Sequence, residues 1–302
     1  MNDNKKSLIA ALLVTGLIFF AELIGGYISN SLALVSDAGH MLTDTMALVL
    51  ALLAIIFATR PATKERTYGF YRLEILSALF NGSILTLIAL YIFYQAFQRF
   101  INPSPVWSGL MLTIATIGLL ANIGAAVILA GGSRENLNVR GAFLHVLSDL
   151  VSSVAVIVGG LIIQFTRWYY IDPILSVLIG ILILRGAMML VFESANILLE
   201  AAPKGMVTEE VALTIKAVKG VRDIHDLHVW AITSGINAIS AHILIEDSEA
   251  ERASQILKEI NELLKTRYAI SHATFQTECV SCPEGLVCRI EPAEEREHEH
   301  PR

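Results

Sequence analysis

The chain has 302 residues, of which 54% are hydrophobic and only 17% charged, with a formal net charge of -6; its mean hydropathy is +0.60. Such a chain is too apolar and too weakly charged for an ordinary soluble enzyme and reads as a membrane protein. The negative charge gathers after Pro203 and ends in Glu294-Glu295-Arg296-Glu297, so no nucleic acid or other polyanion is expected as a partner.

A membrane span needs roughly 20 mostly apolar residues. Six segments qualify in chain order: Leu8 to Ile28, Leu32 to Phe57, Leu73 to Phe97, Trp107 to Ala130, Ala142 to Phe165 and Ile174 to Leu198. Lys5 and Lys6 precede the first, Arg60, Lys64 and Arg66 lie between the second and third, and Arg134 and Arg140 between the fourth and fifth. The opposite loops hold only Arg99 and Arg167, which predicts that both termini are cytoplasmic. Trp107 and Trp168-Tyr169-Tyr170 sit beside those poorly charged loops, where aromatic rings favour the bilayer interface. The first segment is too long for a signal-peptide core and runs through Ser29-Asn30-Ser31 into another span, so it is read as retained.

Ala201-Ala202-Pro203 marks a change to mixed polar sequence, which divides the chain into a transmembrane domain, 1–202, and a small soluble domain, 203–288. Thr208-Glu209-Glu210 starts a helix through Val211, Ile215 and Val218 that Gly220 stops. Val221 to Ala231 and Ile236 to Ile245 alternate as two strands around a Ser234-Gly235 turn. Glu249 to Arg267 is amphipathic through Ile256, Ile260 and Leu263, and Ile270 to Glu278 is a third strand. This order predicts a small open-faced α+β sandwich with helices on one side of the sheet. The tail, 289–302, reads as disordered. Cys279, Cys282 and Cys288 fall on the cytoplasmic side, where thiols stay reduced, so no disulfide framework is expected.

Two copies of one pattern carry the chemistry. His40-Met41-Leu42-Thr43-Asp44 lies in the second span and His145-Val146-Leu147-Ser148-Asp149 in the fifth. Residues four apart share a helix face, so each copy presents an imidazole and a carboxylate together. Ionised and unpaired, Asp37, Asp44 and Asp149 would cost on the order of 8 to 10 kcal/mol in lipid. A divalent metal held by two neutral imidazoles and two carboxylates removes that cost, since structural zinc binds with about 10 to 16 kcal/mol. Four nitrogen and oxygen ligands suit tetrahedral zinc, with cobalt and cadmium as competitors, whereas magnesium and calcium prefer more oxygens. The alternative, a hydrogen-bonded couple that only holds helices together, fits a single copy better than two.

The strings Ser31-Leu32-Ala33-Leu34-Val35-Ser36-Asp37-Ala38-Gly39-His40-Met41-Leu42-Thr43-Asp44, Tyr68-Gly69-Phe70-Tyr71-Arg72-Leu73-Glu74, Asn138-Val139-Arg140-Gly141-Ala142-Phe143-Leu144-His145-Val146-Leu147-Ser148-Asp149 and His225-Asp226-Leu227-His228-Val229-Trp230 resemble the cation diffusion facilitators, a family of metal/proton antiporters. The resemblance covers nearly the whole chain. It implies a six-helix transmembrane bundle with a metallochaperone-like, ferredoxin-like cytoplasmic domain that regulates and dimerises. It also implies a homodimer with one transport site per protomer, His40, Asp44, His145 and Asp149. Two HxxxD motifs resemble the zinc-preferring branch. Nickel and iron(II) complete the range of ions. Zinc is then substrate and regulatory ion, with no cofactor, and the setting implied is a bacterial cytoplasmic (inner) membrane. On the soluble domain the resemblance implies further ligands at His225 and His242, with Glu278 on the third strand. Gln276 and Glu278 stand where some relatives have His and Asp, which weakens the case for two metals there. The 4/5 loop, Gly131 to Asn138, has no histidine. Metal gathering would instead fall to Cys279, Cys282, Cys288, His298 or His300, although one CxxC is as well read as free thiols.

Asp37 is expected to serve helix packing or proton relay rather than ligation. Glu22 is a proton carrier or a partner for another helix's polar group, and Asn81 and Asn122 are expected as interhelical hydrogen-bond donors. Asp172 before Pro173 reads as the N-cap of its own helix. His225 and His228 differ by an odd number and should point to opposite faces of a strand; His242 is either a ligand or solvent-facing. Two rival functions are an intramembrane metalloenzyme, disfavoured because no HExxH occurs and four ligands leave no open position, and a non-transporting zinc receptor. The expected function is zinc export from the cytoplasm in exchange for protons, by alternating access and without catalysis.

Overall fold

The computed structural model describes residues 2–42, 63–130, 137–278 and Leu286; for residues 2–12, 137–142, Leu144, His145, Ser148 and Asp247 it describes the backbone alone. The chain forms two compact units, one of Met1–Pro61 with Leu76–Ser194, the other of Ala62–Ile75 with Ala195–Arg302.

The first unit is helical. Helix α1, Asn2–Ser29, ends where Asn30 turns left-handed at φ 55°, a conformation asparagine tolerates better than most residues. The Ser31 N–H then donates to the Gly26 carbonyl at 2.9 Å, and α2 is described from Leu32 to Leu42. A Cβ at Gly26 would lie 2.8 Å from the backbone nitrogen of Val35, so only glycine lets these two helices approach so closely. Helices α3, Arg72–Ile101, α4, Ser108–Ala130, α5, Leu137–Thr166, and α6, Ile171–Leu198, follow. Helix α4 packs against both α1 and α5.

Among the described residues, α3, α4, the Asp149–Thr166 part of α5, and α6 are long and apolar enough to cross a membrane, while Leu13–Ser29 and Leu32–Leu42 are shorter apolar stretches. The second half of the expected second span lies outside the described residues. Ala33, Leu34, Leu85, Met111, Val156 and Ile183 are almost fully buried and join α2 through α6 in one core. Facing outward are Val127, Val151, Leu182 and Phe165, each at least 65% exposed. Outward apolar side chains on this scale would be a liability in water and are the normal surface in lipid.

The second unit has its large side chains inside. Helix α7, Thr208–Lys216, ends four residues before Gly220, which sits at φ 94°. Strand β1, Val221–Thr233, runs two residues beyond the expected end and pairs antiparallel with β2, Ile236–Ile245, across a turn where Gly235 has φ 78°. A 3-10 turn, Asp247–Arg252, precedes helix α8, Ala253–Tyr268, and β3, Ile270–Glu278, lies parallel to β2. Sheet order is β1-β2-β3. Val211 and Ile215 of α7 and Ile256, Ile260 and Leu264 of α8 bury against Ile224, Leu227, Val229, Ile239 and Ile243. That uses one sheet face; His225, Ser240, His242 and Glu278 lie on the other. The stretch Ala62–Ile75, which includes the first turn of α3, belongs to this unit: the Thr233 hydroxyl donates to Glu74 at 2.7 Å, Arg72 pairs with Glu200 at 2.7 Å, and Tyr68 meets the His272 ring edge-on.

Candidate metal sites

Two places gather imidazole and carboxylate. In the transmembrane unit, α2 supplies Asp37 and His40 and α5 supplies Asp149 and Ser152. His40 Nε2 lies 3.9 Å from Asp149 Oδ1, with Asp149 buried and His40 partly accessible. The Ser152 hydroxyl donates to Asp37 Oδ1, joining the same two helices a turn away. Asp44 and the side chain of His145 lie outside the described residues, as do Cys279, Cys282, Cys288, His298 and His300.

Glu22 of α1 is 1% exposed, and its Oε2 accepts no hydrogen bond from the described residues. A Cβ at Gly118 would come within 2.7 Å of Glu22 Oε1, so this carboxyl lies directly against α4. Asn81 and Asn122 are equally buried, and their Oδ1 atoms accept nothing from the described residues either.

Asp172 departs from the sequence expectation. It caps α2, not its own helix: its carboxylate accepts from the Leu32 N–H at 2.9 Å and the Ala33 N–H at 3.1 Å. The reason is tertiary. The start of α2 is packed beside the start of α6, and its first N–H groups have no intrahelical acceptor.

In the second unit the polar face of the sheet carries His225, His242 and Glu278, whose ligand atoms lie within 4.8 Å of one another. Glu278 bridges the two rings: Oε2 is 3.3 Å from His225 Nε2 and Oε1 is 2.9 Å from His242 Nδ1. Gln276 Nε2 donates to Glu278 Oε1 at 2.9 Å. His225 and His242 are register partners, which brings their ring centroids to 5.1 Å. Ligands at about 2.0 to 2.2 Å from a tetrahedral zinc stand roughly 3.3 Å apart, so this trio approaches a zinc face without rearrangement of the sheet.

The expectation that His225 and His228 point to opposite faces is corrected by a bulge. His225 pairs with His242 and His228 with Ser240, so Asp226 and Leu227 of β1 together oppose Ala241 of β2. Asp226 takes φ 49° at that point. One extra residue inverts the alternation and returns His228 to the face of His225. The Leu227 N–H, displaced from the ladder, donates to the Leu286 carbonyl at 2.8 Å. Asp226 is the residue that sequence reasoning missed: its Oδ1 lies 3.0 Å from His228 Nε2 and its Oδ2 3.9 Å from His242 Nε2. An aspartate inside a strand is itself unusual and is the only signal the sequence offers.

A protein-family model described as the cation efflux transmembrane domain matches residues 8–199. A second, described as the cation efflux protein cytoplasmic domain, matches residues 203–279. The chain is 43% identical over 282 residues to the metal cation efflux system protein CzcD of Cupriavidus metallidurans, covering 93% of this chain and 89% of that one. It is 41% identical to a cadmium, cobalt and zinc/H(+)-K(+) antiporter of Bacillus subtilis over 99% of this chain and 97% of the relative. It is also 42% identical to the zinc transporter ZitB of Escherichia coli, over 96% and 92%.

Proposed function

Because the chain belongs to the cation efflux family, the cation diffusion facilitators that its motifs resemble, we propose that this membrane protein exports zinc from the cytoplasm in exchange for protons. The observation that carries the reading is the approach of His40 on α2 to Asp149 on α5, 3.9 Å apart within an apolar helical unit. An imidazole and a carboxylate on two different helices can grip one dication and release it if the helices shift. With Asp44 and His145, each four positions from its motif partner in the sequence, they complete a neutral set around a divalent ion. Cadmium and cobalt, named for the Bacillus relative, are the nearest competitors for such ligands.

Coupling resides in the ligands. Zinc loads when the imidazoles are neutral and the carboxylates ionised, because imidazolium and carboxylic acid cannot ligate. Protons arriving from the other side compete with the ion and eject it. We assign the protein to the inner membrane with both termini in the cytoplasm, from the Lys and Arg asymmetry of its loops. The second unit is the cytoplasmic partner in a homodimer, and zinc held by His225, His242 and Glu278 regulates transport. The function requires no bound cofactor and no catalysis.

The test is zinc uptake into proteoliposomes holding an opposed pH gradient. Uptake should accelerate with the gradient and vanish when an ionophore collapses it. Flux that ignores the gradient removes proton exchange from this account, and no metal flux at all removes transport.

A further inference from the structure

The start of α2 is held by more than its cap. Asp172 is fully buried, and both its carboxylate oxygens are occupied. Oδ1 accepts from the Ser31 hydroxyl at 2.7 Å and the Ala33 N–H at 3.1 Å. Oδ2 accepts from the Leu32 N–H at 2.9 Å and Arg99 Nη1 at 2.9 Å. Arg99, in the last turn of α3, reaches on to the Asn30 carbonyl at 2.6 Å and Asn30 Oδ1 at 2.9 Å. The Ser31 oxygen in turn accepts from the Leu34 N–H at 3.2 Å. The first three N–H groups of α2 therefore all have acceptors, and two of the three point at a residue of α6.

We propose that Asp172 and Arg99 are positioning residues of the transport site, a clasp that fixes the origin and direction of α2 against α3 and α6. This rests on the reading of His40 and Asp149 as transport ligands. His40 lies eight residues beyond Leu32, about 12 Å along the helix at 1.5 Å per residue. A tilt of roughly 5° about the clasped end would move His40 about 1 Å, and a metal site tolerates only about 0.2 Å in ligand distance. The clasp has no ligand of its own; it acts through the helix it holds. The two partners are unequal. Removing Arg99 leaves an anion at a helix N-terminus with three donors, a favourable setting, whereas removing the carboxylate strands two buried N–H groups and the guanidinium.

The experiment compares zinc transport by Asp172→Asn and Arg99→Met with wild type in proteoliposomes, alongside melting temperatures of the purified full chains. Asp172→Asn should raise the zinc KM about 10-fold and Arg99→Met about 3-fold, with kcat per folded protein changing less than KM. A purely structural salt bridge would lower melting temperature and the active fraction while leaving KM at the wild-type value, and that result overturns the proposal. So does a larger KM effect from Arg99→Met than from Asp172→Asn. Should Asp172→Asn not fold, Arg99→Met alone decides by whether its KM moves. Should the wild type move no zinc, the transport reading fails separately. The clasp is then judged by amide exchange over Leu32 to His40, and unchanged protection in both variants overturns it.

Discussion

The two units mount the same ligand chemistry on opposite scaffolds. In the transmembrane unit many large apolar side chains face outward while Asp149, Asp37 and Glu22 are buried; in the C-terminal unit the isoleucines fill the inside and His225, His242 and Glu278 share the other sheet face. A buried carboxylate among lipid-facing helices is costly until a cation arrives, so the ion's entry and exit change the unit's energy by several kcal/mol. The trio on the sheet already neutralises itself in part, because Glu278 bridges both rings at 2.9 and 3.3 Å. The first arrangement suits an ion that must pass through, the second one that binds and stays.

That contrast is sharpest in the response to losing one carboxylate. Asp149→Ala should reduce zinc flux by at least about 100-fold, beyond the 10- to 100-fold typical of residues that merely support a ligand. Flux within a few-fold of wild type would mean that His40 and Asp149 do not share an ion. On the proposed reading, Glu278→Gln should instead leave the proposed transport site unaffected and weaken only zinc binding by the C-terminal unit, about 10-fold in a calorimetric titration of the full chain. If Asp149→Ala and Glu278→Gln abolish the same equivalent, the two sites are not separate.

How much of this the sequence disclosed follows from periodicity. Helix α6 and strands β2 and β3 stand close to their expected positions because apolar runs and alternation are local properties. That His40 and Asp149 each belong to a polar helix face was legible from the four-residue spacing of their motifs; their approach to 3.9 Å across two helices is a tertiary contact that periodicity does not supply. The cap formed by Asp172 was not legible, since it joins residues 139 to 141 positions apart and a following proline makes the local capping reading attractive. Nor was the face of His228, because strand parity holds only while the ladder is regular, and the bulge at Asp226 breaks it.

Asp226 offers a finer cut between stability and binding within the C-terminal unit. An L-residue at φ 49° costs about 1 to 2 kcal/mol, which glycine avoids, while glycine gives back roughly 0.5 to 1 kcal/mol in unfolded-chain entropy. Asp226→Gly should therefore change folding stability by between zero and about 1.5 kcal/mol in the favourable direction. It also removes the carboxylate 3.0 Å from His228 and 3.9 Å from His242, so zinc affinity should fall several-fold. Thermal melting without metal and zinc titration on the same sample read the two signs separately. A variant that binds zinc as tightly as wild type would show that Asp226 shapes the bulge and does nothing for the metal.

The smallest effect lies at the junction of α7 and β1, two residues before His225. The Lys216 ammonium, 2.6 Å from the Asp223 carboxylate, and the Ile224 N–H at 2.7 Å hold the Asp223 pKa below its ordinary value. The pair is about half exposed, so solvent screening limits its worth to less than about 0.5 kcal/mol. A carboxyl whose pKa is lowered by folding stabilises fully above its unfolded pKa, about 3.9, and loses that contribution as pH falls through the lower folded value. Asp223→Asn should then cost a few tenths of a kcal/mol at pH 7 and nothing at about pH 2. Urea unfolding of the full chain followed through Trp230 fluorescence measures both, and an equal cost at the two pH values would show that the side-chain amide geometry, rather than the charge, is what Lys216 and Ile224 require.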